Sequence, residues 1–357
     1  RVSSSAASDV YKRQKYKEHI HICCTSEDIN NIAYSLMIKE GRDLLIYQAN
    51  IVQRTMKSMG KKYKNIAMLS HTHGQPASPT TMGKEFINFY RRLDAQIHDL
   101  NNIEIKGKFN GATGNYSAHS VTYPKVNWPN TMRKFVNSLK LEFNSHTTQI
   151  EPHDYIADLC HKINHINSIL IGFSQDVWAY ISKNYFTQKN IKGEIGSSTM
   201  PHKINPINFE NAEGNLGMSN AISQYFANKL VISRLQRDLS DSTVLRNIGL
   251  VYAYSIVAYK NISLGLSKLD INKQKINDDL DECWEILAEP IQMVARKYHI
   301  SNSYEYLKKY TRGKKVDKGV IEKIITNLHI PENEKSRLLE LTPRKYIGYA
   351  NKLCDVK

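Results

Sequence analysis

Tyr155–Tyr180 reads YIADLCHKINHINSILIGFSQDVWAY, and its apolar residues Ile156, Leu159, Ile163, Ile166, Leu170, Phe173, Val177 and Tyr180 fall in alternating steps of three and four. A stripe of that period, held over several turns, predicts a long helix packed nearly parallel to others. Core packing accounts for these residues, and no catalytic role attaches to them. Phe86, Phe89, Leu93, Ile97, Leu100 and Ile103 repeat the pattern. Ser78 offers an N-cap and Pro79 a first helical position, so this helix is expected to start directly after His73-Gly74-Gln75-Pro76. Gln224–Arg237 and Leu245–Leu266 are also helix-like, whereas period-two runs with hairpin turns are scarce. The expected fold class is all-α, a long-helix bundle.

Beyond Leu266 the helical segments shorten and are broken at Glu289-Pro290, Thr311-Arg312-Gly313, Ile330-Pro331 and Thr342-Pro343. The expected organisation is a central helical-bundle catalytic domain over 15–266 and a small C-terminal helical domain over 267–357. Residues 1–14, RVSSSAASDVYKRQ, have no clear apolar period and read as a non-native-looking tail.

The chain has 357 residues, 41% of them hydrophobic and 23% charged, the balance of a folded soluble protein rather than a disordered one. A net charge of +15 suits a nucleic-acid binder, a site for small anions, or a lysine-rich solvated surface. The basic residues are scattered in short groups, with no long basic run, zinc-finger spacing or RNP-type motif, so nucleic acid is not expected as a partner. The five cysteines, Cys23, Cys24, Cys160, Cys283 and Cys354, form no C-x-x-C pair and suggest neither a disulfide framework nor a zinc site. No apolar run approaches the roughly 18 residues of a membrane span. A cytoplasmic protein without membrane contact is expected.

Four polar clusters lie where the helical patterns break. Thr25-Ser26-Glu27-Asp28 reads as a helix cap with acidic first-turn residues, or as an anion site on free helix N–H groups. His71-Thr72-His73-Gly74-Gln75-Pro76 offers two imidazoles; histidine titrates near neutral pH, so either could protonate a leaving group, and spacing does not choose between them. A metal reading lacks a third ligand in a recognisable pattern. Thr147-Thr148-Gln149-Ile150-Glu151-Pro152-His153-Asp154 reads largely as a capping segment. In Gly196-Ser197-Ser198-Thr199-Met200-Pro201-His202-Lys203-Ile204-Asn205-Pro206, the lysine could meet a carboxylate. Its serines could serve as donors, as a nucleophile or, if deprotonated, as a base. Local chemistry takes this last stretch as far as an anion-binding loop.

That loop resembles the GSSxMPxKxNP signature of the fumarase/aspartase superfamily. Cys24–Asn31, Thr72–Pro76, Gly107-Lys108-Phe109-Asn110-Gly111-Ala112-Thr113-Gly114-Asn115-Tyr116 and Arg237–Asn247 narrow the resemblance to the bacterial-type adenylosuccinate lyases, from about Lys15 to the C-terminus. The resemblance implies a homotetramer whose long helices share a central bundle and whose active sites are shared between subunits. It implies β-elimination of fumarate from adenylosuccinate and from the succinylated aminoimidazole carboxamide ribotide of purine biosynthesis, with no metal or organic cofactor. It makes Ser197 the general base and His73 the general acid. It sets Thr25, Ser26, Gln149, Lys203 and Asn205 toward the succinyl group, and Asn211, Arg237, Ser242 and Arg246 toward the nucleotide. The family usually has arginine before Thr72, where this chain has His71. The family also carries roughly a hundred residues ahead of the first cluster, the size of a small domain; residues 1–14 do not resemble them, and the chain is expected to lack that domain. The alternative is a non-catalytic helical oligomer or interaction protein derived from this scaffold, inactive through that loss.

Overall fold

The computed structural model describes residues 14–189, 200, 203–313 and 316–356. A short 3-10 helix, Gln14–His21, leads into α1, Ser26–Lys62. The hairpin β1, Ala67–Thr72, and β2, Gln75–Thr81, leads into α2, Met82–Asn101. There follow β3, Lys106–Gly107, α3, Ser117–Thr122, α4, Trp128–Ser138, and β4, Glu142–Phe143, which pairs parallel to β3. Next come α5, Asp154–Ser182, β5, Phe186–Gln188, α6, Ile207–Leu230, α7, Ser240–Leu245, and α8, Ile248–Ser267. After β6, Leu269–Ile271, antiparallel to β5, the chain continues as α9, Lys273–Glu282, α10, Ala288–Lys297, α11, Ser303–Thr311, α12, Lys318–Thr326, and α13, Glu332–Leu339. The fold is all-α, and among the described residues strands occur only as short pairs.

The stripe expected on α5 is the buried face of that helix: Ile156, Leu159, Ile163, Ile166, Leu170, Phe173 and Val177 are almost fully buried, and Tyr180 is half-buried. Each such side chain contributes on the order of 1.5–3 kcal/mol by leaving water. α1 carries an equivalent seam, Leu45, Ala49, Val52, Met56 and Met59, again in steps of four and three, and buried Tyr63 follows just past its end. α2 buries Phe86, Phe89, Leu93, Ile97 and Leu100, while Ile103 lies beyond its end.

Two compact units divide the chain. The first takes residues 1–49, 96–168 and 214–258. At its centre sit three buried polar side chains, Asn167, Ser219 and Ser255. Asn167 Nδ2 donates to both hydroxyls, at 3.2 and 3.0 Å, and the hydroxyls lie 2.9 Å apart. The second unit takes residues 50–95, 169–213 and 259–357. In it, α9 to α13 pack around Leu280, Leu287, Ile291, Ile324 and Leu338, and Leu69 of β1 joins the same core.

Two expectations need correction. α2 does not start at Ser78-Pro79: the chain stays extended to Thr81, paired with β1 through Met68 and Thr80. Ser78 spends its hydroxyl on the Glu289 carboxylate, and Thr81 caps the helix instead, its Oγ1 accepting from Lys84 N at 3.2 Å. The helix read as Gln224–Arg237 ends at Leu230. Leu235 there has a positive φ of 49°, and the Asp238 carboxylate accepts from the N–H groups of Arg234 and Ser240, which bends the following loop. Arg237 therefore belongs to a loop.

Candidate active site

Thr25 caps α1, and Asp28 at its third position reaches back to accept from Thr25 N at 3.0 Å, one arm of a capping box. The same carboxylate is fully buried and receives a converging set of donors. Lys108 Nζ lies 2.7 Å from Asp28 Oδ1, and the N–H groups of Asn110 and Gly111 add bonds of 3.1 and 3.2 Å. Neither Asp28 nor Lys108 exposes any side chain. Burial pulls the Lys108 ammonium pKa down, and the Asp28 carboxylate opposes that. Lys108 Nζ also donates to Gly111 O at 3.1 Å, so one ammonium closes the turn that begins the glycine-rich stretch.

That stretch is tied to its neighbours at each end. Asn31 Nδ2 donates to Lys108 O and Asn31 Oδ1 accepts from Lys108 N, at 3.0 and 2.8 Å. One helical turn on, Ser35 Oγ donates to Lys106 O at 2.6 Å. Asn110 Nδ2 donates to Thr147 Oγ1 at 2.8 Å, and Gln149 Nε2 to Ala112 O at 3.1 Å. Gly114, with φ +80°, passes so close to this segment that a Cβ there would stand 2.2 Å from Thr147 O.

A second charged group lies in the same unit. Arg237 Nη1 bonds Glu27 Oε2 at 3.0 Å and Asp241 Oδ2 at 3.4 Å. It thereby joins the start of α1 to the start of α7. His153, buried and with φ +66°, has Nε2 3.3 Å from Asp241 Oδ2 and Nδ1 3.8 Å from Glu151 Oε2. Burial raises the Glu27 pKa against the pull of Arg237. Burial would raise Asp241 as well, but the His153 hydrogen bond and the Arg237 charge together hold it below its ordinary value.

Of the residues singled out in the sequence, Thr25, Ser26, Gln149, Arg237, Ser242 and Arg246 belong to this unit. The links just described bring together the three segments that carry the first four: Glu27 pairs with Arg237, and Gln149 N donates to Gln236 O at 3.3 Å. Ser242 follows Asp241 in the first turn of α7, half-buried, and Arg246 is exposed at the end of that helix.

His73, Lys203, Asn205 and Asn211 belong to the other unit, and Ser197 lies outside the described residues. His73 and Gly74 are the two residues between the paired Thr72 and Gln75, with φ of 53° and 74°. Two consecutive positive φ values mark the turn type whose twist suits a two-residue hairpin, and the imidazole is exposed at its tip. His71, half-buried and paired across the strands with Pro76, has its pKa lowered by burial and then by the Lys183 charge. Lys203 N donates to Met200 O at 3.0 Å, and Gln188 Nε2 donates to Ile204 O at 2.9 Å. Asn205 is half-buried and Asn211 exposed in the first turns of α6. Among the described residues no group of three His, Cys, Asp or Glu is placed to hold a metal ion, and no helix is long and apolar enough to cross a membrane.

Sequence reasoning gave Glu27 and Asp28 only as acidic first-turn residues of a cap and passed over Lys108, His153 and Asp241. All five stand inside stretches it quoted, and the signal available was one lysine set in a glycine-rich stretch without other charges.

The lyase family model matches residues 2–220, and the model described as adenylosuccinate lyase C-terminal matches residues 233–347. The chain is 56% identical over 345 residues to the adenylosuccinate lyase of Buchnera aphidicola subsp. Schizaphis graminum, covering 96% of this chain and 76% of that protein. It is 52% identical over 340 residues to that of Escherichia coli K12, covering 95% and 74%. Among solved structures, a fumarate lyase from Mesorhizobium sp. BNC1 superimposes with a TM-score of 0.76 at 17% identity, covering 94% of this chain and 77% of that one. A 3-carboxy-cis,cis-muconate lactonizing enzyme from Pseudomonas putida gives 0.75 at 17%, covering 94% and 75%. The two structural matches bear on the fold alone, while identity above half across nearly the whole chain bears on the family. The chain belongs to the adenylosuccinate lyases of the fumarase/aspartase superfamily.

Proposed function

We propose that the chain catalyses the β-elimination of fumarate from adenylosuccinate, leaving AMP, and from the succinylated aminoimidazole carboxamide ribotide, leaving the free carboxamide. The observation that carries this reading is the identity of more than half with proteins named adenylosuccinate lyase, across about 95% of the chain. The same identity favours the catalytic reading over a non-catalytic oligomer.

The reaction breaks a C–H bond beside a carboxylate and a C–N bond, and forms the fumarate double bond. Ser197 removes the carbon-bound proton, and the negative charge spreads into the adjacent carboxylate. His73 protonates the departing nitrogen, which otherwise leaves poorly. Its exposure at the tip of a hairpin supports a role in proton transfer to a bound substrate. Thr25, Ser26, Gln149, Lys203 and Asn205 hold the succinyl carboxylates. Asn211, Arg237, Ser242 and Arg246 contact the nucleotide, arginine by its forked donors.

The working form is a homotetramer with shared active sites, located in the cytoplasm. Exposed apolar side chains on α6 and α8, among them Met218, Tyr225, Leu250 and Val257, support the assembly. Residues 267–357 form the C-terminal helical domain, a reading supported by the core shared by α9 to α13. The test follows the absorbance change as adenylosuccinate becomes AMP and assays fumarate independently. Equal amounts of AMP and fumarate are expected, and absence of both overturns the reading.

A further inference from the structure

We propose that Asp28 and Lys108 are positioning residues for the succinyl end of the substrate site, acting through Thr25 and Gln149. The proposal rests on the lyase reading above and names two residues to which that reading gives no part.

The placement of this pair is unusual for its chemistry. Two charges removed completely from water pay a desolvation cost that their mutual attraction offsets only with close geometry and further hydrogen bonds. Hydrophobic residues of similar volume would fill the same space with less demand, so stability alone gives no reason for an ion pair here. What the pair does, and an apolar pair would not, is gather directional bonds. Asp28 accepts from the N–H of Thr25 on one side and from the N–H groups of Asn110 and Gly111 on the other. Lys108 binds Asp28 and the carbonyl of Gly111 with the same ammonium.

The consequence is a fixed relation between two segments far apart in sequence. The Thr25 cap is set by Asp28. The backbone at Gly111 is set by Asp28 and Lys108, and the next carbonyl, of Ala112, receives the Gln149 side chain at 3.1 Å. Asn110, whose N–H is held by Asp28, bonds Thr147, two residues before Gln149. One chain of bonds from Thr25 to Gln149 thus passes through this carboxylate and ammonium, beside the Asn31 ties to the Lys108 backbone and the route by Glu27, Arg237 and the Gln149–Gln236 bond. Removal of either charge leaves the other buried without its partner and releases the turn at Gly111.

Steady-state kinetics on the full chain, well below its melting temperature, tests the proposal with Asp28→Glu and with the double variant Asp28→Asn/Lys108→Met. The first keeps the charge but moves the carboxylate by one methylene. The second removes both charges, so no uncompensated ion remains buried and folding is spared. Both are expected to raise the KM for adenylosuccinate by about tenfold or more while kcat changes by less than about threefold, the pattern of lost substrate binding. A merely structural pair would lower the melting temperature and leave KM in place. If Asp28→Glu, or the folded double variant, binds substrate with the wild-type KM, the proposal fails. Absence of fumarate from the wild type would instead remove the lyase reading, and this proposal with it.

Discussion

In the proposed reaction Ser197 takes one proton out of the substrate and His73 puts one into it, so their removal should strike the transition state more than the bound substrate. His73→Ala and Ser197→Ala are each expected to lower kcat by at least about a hundredfold, the usual worth of a general acid or base, with KM within a few-fold of wild type. Unchanged kcat in either variant would end its assigned role. Glu334 makes a different prediction. Lys297, Arg337 and Tyr298 hydrogen-bond its carboxylate, and these bonds bring its pKa down from 4.5 to about 2. A depressed folded pKa contributes stability that is complete above the unfolded value and is lost as pH falls toward the folded one. The melting-temperature gap between wild type and Glu334→Gln should thus hold steady from pH 7 to about pH 5 and close as pH drops from there toward 2. A gap that does not change with pH would contradict the ion pairs. Lys108 marks the limit of reading residues singly. Its partner Asp28 is 80 positions away, and nothing local separates a lysine that will be sealed from water from the many that remain solvated.

The β1–β2 hairpin presents His73 because both of its strands are anchored. Leu69 is buried in the C-terminal core, and Glu289, which takes the Ser78 hydroxyl, also accepts from Tyr346 Oη at 3.0 Å. Gly74 has open space around its Cα but a φ of +74°, so Gly74→Ala adds backbone strain of about 1 kcal/mol without a clash. The expected result is a melting temperature lower by a few degrees at most, with a larger fractional loss in kcat as the tip shifts. An unaffected kcat would show that the tip geometry does not matter to the acid. Ser78-Pro79 reads as a helix start because serine and proline favour that place in the absence of a strand partner. The partner here is β1, which pairs Ser70 with Ala77 and Met68 with Thr80 on either side of Ser78-Pro79, together with Glu289 from a distant helix, and neither leaves a mark on the local pattern. The α5 stripe, by contrast, is legible because burial along one helix face repeats within the sequence itself.

For the whole molecule, the exposed apolar residues of α6 and α8 are a cost unless other copies cover them. Leu250 and Val257 stand seven apart on α8, as Met218 and Tyr225 do on α6, a spacing that suits helices from other copies. Leu250→Glu is expected to shift the sedimentation profile toward smaller species and to reduce activity with it. Full activity in a dissociated chain would refute shared sites. The all-α class and its long helices were open to sequence reasoning because period and length carry them. The grouping of Thr25, Gln149 and Arg237 came from family resemblance and not from period or length, because it depends on loops closed by buried charges and on the early end of α6 at Leu230. The Asn167, Ser219 and Ser255 side chains add a constraint of another kind. Apolar seams with a seven-residue repeat look nearly alike after a slip of one repeat, so greasy contacts alone tolerate misalignment. Such a slip here would strand an amide and two hydroxyls in a dry interior at about 1–3 kcal/mol apiece. The three groups therefore act as an alignment key, admitting one axial setting of α5, α6 and α8 and making sliding between them a poor route for any motion during turnover.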